Sequence, residues 1–133
     1  MKLAMAFILA AMATGTASAG AVEECIGRGD HATATRCLVE NEKEAQNALV
    51  KAEGDAGRKA RDIDTATGRS SAAPALAKSM RAFADYRKAQ CDFVRAMYAS
   101  GTGAEQAYVG CIIDVTRRRV RRCVRPLLNG GSM

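Results

Sequence analysis

The chain has 133 residues, a formal net charge of +6, no Trp and one His. That length holds one domain once any leader is removed. An Ala-dominated apolar content gives a thin core, and a lone His gives no nucleophile–base set, so an enzyme is not expected.

The first nineteen residues read as a cleavable secretory signal. Lys2 supplies the charged start, the run from Leu3 to Ala13 the apolar middle, and Ala17-Ser18-Ala19 the small-residue exit. Eleven apolar residues rise only about 16 Å as a helix, roughly half a bilayer core, so an anchor is the poorer reading. The expected division is a signal over 1–19 and one domain over 20–133. The mature chain then has no membrane span and lies in the periplasm or outside the cell.

Residues 20–29 hold three Gly and read as an irregular lead-in. From about Asp30, a candidate N-cap, to Thr67, small or apolar residues fall at Leu38, Ala45, Leu49, Ala52, Ala56, Ala60 and Ile63. Steps of three, four and seven are one stripe of a helix. Gly54 and Gly57 predict a bend or fraying in its middle, since each weakens a helix by about 1 kcal/mol against Ala. Gly68 to Ser71 is a break, and Pro74 suits the first turn of a second helix, from about Ala73 to Ala99. One face of that helix carries Leu76, Met80, Phe83, Arg87, Cys91, Val94 and Tyr98. A third helix is expected from about Ala104 to Leu128, with Tyr108, Ile112, Val115, Arg119, Cys123 and Leu127 inward. The expected fold is all-α, a small antiparallel three-helix bundle stapled by disulfides.

Arg87 and Arg119 stand inside apolar stripes. A buried guanidinium requires a partner, and Glu42, on the edge of the first stripe, is the expected acid. Between Thr116 and Arg125 six of ten residues are Arg. Arg118, Arg122 and Arg125 form one exposed row, and Arg117 and Arg121 another. The strip is either a solvated face near a helix C-terminus or a site for an anionic envelope partner. Without interleaved aromatics, nucleic acid is not the expected partner. From Glu23 to Asp64 there are ten acids against seven bases, and from Thr65 onward four against twelve.

Five cysteines, Cys25, Cys37, Cys91, Cys111 and Cys123, follow the leader. An oxidising compartment makes disulfides the default, and the odd count leaves one thiol over. No C-x-x-C occurs and the gaps suit staples between helices, so no metal or other cofactor is expected.

Phe83-x-x-Tyr86-Arg87-x-x-x-Cys91, a glycine-containing turn, then Cys111-x4-Thr116-x-x-Arg119 resembles the lysozyme inhibitor LprI-like family. The resemblance runs from about Cys25 to Leu128 and is loosest over the first helix. It implies a small periplasmic or cell-surface helical protein, one branch of whose family inhibits lysozyme. Phe83 stands where the family usually has Trp, and Cys123 where it usually has Leu. The latter implies a small hydrophobic role for Cys123 and makes it the free thiol. The implied pairs are Cys25–Cys37 and Cys91–Cys111, with Cys37–Cys111 and Cys25–Cys91 as the alternative. The expected partner is a lysozyme or another envelope protein, and the chain is a monomer or a Cys123-linked dimer. Lysozymes are typically basic, so the acidic first helix (Glu40, Glu42, Glu44, Glu53, Asp55) is the expected contact.

Overall fold

The computed structural model describes residues 20–99, 101 and 103–130, without the Cys123 side chain. The expected signal at 1–19 lies outside them. The elements are α1 (Ala21–Ile26), α2 (His31–Thr67), α3 (Ala72–Met97), α4 (Gly103–Arg119), a π turn (Val120–Val124) and α5 (Arg125–Leu128). There is no strand among the described residues. The fold is all-α, as the periodicity implied.

α2 starts where the Asp30 side chain accepts the Thr33 N–H at 2.9 Å, an N-cap interaction. It ends at Gly68, whose φ of 67° lets the chain turn at its C-terminus. Between them 37 residues form one continuous helix about 55 Å long. Gly54 and Gly57 do not interrupt it: the stripe from Leu38 through Ala60 is buried on both sides of them, and that packing outweighs their weak propensity. Ile63, the last residue of the expected stripe, is exposed because α2 there runs past the core.

Residues 20–29 are not irregular throughout. Ala21–Ile26 is a helix held by tertiary contacts. The Ala21 N–H donates to both oxygens of Asp114, at 3.1 and 3.3 Å. Val22 lies against Gly110 so closely that a Cβ there would sit 2.3 Å from Val22 Cγ2. Ala21 and Cys25 are fully buried. Six residues cannot hold a helix alone in water, so no local signal marks this one.

α4 is the central element, packed against α1, α2 and α3. Packed on several sides, it buries a different set from the expected stripe: Ala104, Ala107, Gly110, Ile113, Val115 and Thr116, of which only Val115 was expected inward, while Tyr108 and Ile112 are half-buried. The expected third helix is broken by the π turn, where the Arg125 N–H reaches back to the Val120 carbonyl. Val120 and Val124 are buried while Leu127 is 60% exposed. Apolar residues spaced by four drift around an α-helix, and a wider turn with i→i+5 bonds cancels the drift. That keeps Val120, Val124 and half-buried Leu128 on the inner side. One core cluster joins α1, the start of α2 and α4 through Cys25, Leu38, Ala45 and Ile113. The other joins Leu49, Ala52 and Ala56 to Val120 and Val124.

Candidate functional site

Disulfides join Cys25 to Cys37 and Cys91 to Cys111, with Cα atoms 5.6 and 5.5 Å apart. The first ties α1 to α2 and the second ties α3 to α4. The pairing Cys37–Cys111 with Cys25–Cys91 is not formed. Both bonds link neighbouring elements, because antiparallel α3 and α4 bring Cys91 and Cys111 level across the turn.

Where α2, α3 and α4 meet, the inward arginines form one network around Phe83. Arg119 Nε donates to Glu53 Oε1 at 3.0 Å, and each side chain is 11% exposed. Both terminal nitrogens of Arg119 also reach Ser79 Oγ, at 3.3 Å. Arg87 Nη1 donates to Gln46 Oε1 at 3.0 Å and to the fully buried Thr116 hydroxyl at 2.9 Å. The Phe83 ring sees both guanidinium carbons, Arg119 at 4.7 Å and Arg87 at 5.5 Å from its centroid. Aromatic faces attract cations through the ring quadrupole. A ring and two cations, each with polar partners, thus lock three helices together.

A model of the family described as lysozyme inhibitor LprI matches residues 22–122. The chain belongs to the LprI family. No curated protein and no solved structure matches it.

The LprI match covers α1 through the π turn, so the motif residues Phe83, Arg87, Cys91, Cys111, Thr116 and Arg119 all fall inside it. The structure brings these six together as an internal clamp. Tyr86 stands apart: it is 52% exposed on the outer side of α3. The acid that meets Arg119 is Glu53, not Glu42. The two are eleven residues apart and share a face of α2, but Glu42 lies three turns too far toward the N-terminus. Antiparallel packing sets Arg119 level with Glu53. A sequence signal existed, since Glu53 stands between Leu49 and Ala56 on the same edge as Glu42 does between Leu38 and Ala45.

The arginine strip is divided. Arg117 is taken by Glu24 of α1 at 2.9 Å. Arg118, Arg121, Arg122 and Arg125 are exposed. The acidic set on α2 is also divided. Glu53 is internal, and Asp55 is paired with Lys51 at 3.0 Å and with Arg58. Glu40 and Glu44 are exposed and Glu42 is half-buried. The Cys123 side chain lies outside the described part. Among the described residues, no helix is long and apolar enough to cross a membrane and no cluster suits a metal ion.

Near α1 the acids crowd. Burial pushes the Asp114 carboxyl above its ordinary range, against the Ala21 N–H and Arg117, which lower it; Glu24 and Glu23 raise it further. This side chain works in docking α1.

Proposed function

We propose that this chain is an exported, non-catalytic envelope protein that binds a muramidase and blocks it. The LprI match over residues 22–122 carries the reading. Two disulfides suit an oxidising compartment, and the leader-like first nineteen residues supply a route to it. The surface offered to a basic enzyme is the N-terminal half of α2, where Glu40 and Glu44 project one turn apart on the exposed side and Glu42 lies on the opposite, half-buried side. Glu53 is withheld from it by the buried Arg119, and the charge of Asp55 is offset at the surface by Lys51 and Arg58.

Titrating the purified mature protein into a cell-wall lysis assay tests this. Lysis falls with at least one lysozyme class, and Glu40→Lys with Glu44→Lys weakens the inhibition about tenfold or more. Unchanged lysis at excess protein with every class overturns it. The second reading then stands: the exposed row Arg118, Arg121, Arg122 and Arg125 docks an anionic envelope partner, with a binding strength that falls as salt rises.

A further inference from the structure

The outer side of α3 carries a pattern that the bundle uses only at Ser79, whose hydroxyl accepts from Arg119 at the inner edge of that face. Ala75, Ala82, Ala89 and Ala96 recur every seven residues. Between them, also seven apart, stand Ser79, Tyr86 and Phe93. All seven positions are exposed. Phe93 is 60% exposed, and Met97 beside it 70%. Alternating steps of four and three are the seam of a left-handed coiled coil. The inward residues Phe83, Arg87 and Cys91 already face the network and the disulfide, so this seam is a second apolar face of the helix. Exposed apolar patches of this kind mark contact surfaces.

We propose that α3 is a dimerisation helix, pairing antiparallel with α3 of a second copy about a two-fold axis near Ala84. Size alternation selects a second copy as the occupant. Antiparallel layers set the large positions of one helix opposite the small positions of the other. With the axis at Ala84, Ser79, Tyr86 and Phe93 meet Ala89, Ala82 and Ala75 of the second copy. Large meets small in every aromatic layer, which is how facing helices fill space. A parallel pair stacks Tyr on Tyr and Ala on Ala, and leaves gaps. The same register overlaps the helix over its whole length, Ala72–Met97. It sets Lys78 of each copy level with Gln90 of the other, about 3 Å along the axis from Asp92, which Lys88 and Arg95 already pair, and it brings the two Asp85 side chains together at the axis. The contact is isologous and therefore closes at two copies.

A helix of 26 residues is about 39 Å long, and a strip about 10 Å wide along it hides on the order of 400 Å² per copy. That lies at the small end of specific interfaces, so the dimer is reversible, with a dissociation constant in the micromolar range.

Sedimentation equilibrium of the full mature chain carrying Cys123→Ser, which removes any thiol-linked dimer, tests the proposal. A monomer–dimer equilibrium in the micromolar range is expected. Phe93→Glu and Ala89→Arg, both at exposed positions, weaken it about tenfold or more with the helical circular dichroism unchanged, and Asp85→Asn tightens it. A chain that stays monomeric at several hundred micromolar overturns the proposal. So does a dimer that Phe93→Glu leaves intact, or one that Leu127→Glu breaks while Phe93→Glu does not.

Discussion

Arg119 and Glu53 place two full charges where each side chain is 11% exposed. Breaking such a pair strands a charge, whereas replacing both partners with apolar residues of like size is often neutral or better. Arg119→Ala therefore destabilises by about 3–5 kcal/mol in urea unfolding, and Glu53→Leu with Arg119→Met costs much less than either single loss. If the single and double variants cost the same, the pair is not the source of the effect. The sequence showed that these arginines are inward, because periodicity reports which face a residue occupies. It did not show which acid waits there. Glu42 and Glu53 share a face, and the choice between them is a matter of helix register, which only α2–α4 packing sets.

Among the elements, α3 depends on the one before it. Ser71, at its N-cap, makes no side-chain cap bond. Instead the Asp64 carboxylate, on the last turns of α2, accepts the N–H groups of Ser71, Ala72 and Ala73 at 3.0, 2.8 and 2.9 Å. Those bonds hold its pKa below the ordinary 3.8, the Ala73 and Ala72 N–H groups contributing most. A carboxyl lowered in the fold stabilises above the unfolded value, and that contribution is lost as pH falls through the folded value. Asp64→Ala therefore lowers the thermal midpoint at pH 7, and the gap from the parent narrows as pH drops below about 3.8. A gap independent of pH would show that the charge plays no part. Asp114, raised by burial, acts in the opposite sense: the fold gains from it as pH falls through its raised value. The three long helices were legible because each carries an apolar stripe. α1 and the π turn were not: the first is too short to carry a stripe, and the second corrects a drift that becomes visible only when the helix meets its neighbours.

For the whole molecule the weak term is the core, where Ala and two buried disulfide cysteines supply most of the buried positions and the fully buried large side chains are few. Cross-links carry a corresponding share of stability. The Cys91–Cys111 bond closes a separation of 20 residues, worth about 3 kcal/mol in the chain-entropy model. Cys91→Ala with Cys111→Ala lowers the unfolding free energy in urea by about that amount and steepens the slope, because the unfolded chain without the cross-link is more expanded. A loss below about 1 kcal/mol would mean that the Arg119–Phe83–Arg87 network alone holds α3 to α4. Fold class, the presence of three long helices and family membership were legible in the sequence alone. Periodicity and the spacing of Cys, Tyr, Thr and Arg are local properties of the chain. Tertiary structure decided which acid pairs with Arg119, which arginines remain exposed, and that residues 21–26 are helical. Each of these depends on how far one helix slides along another, and that distance is written in no single segment.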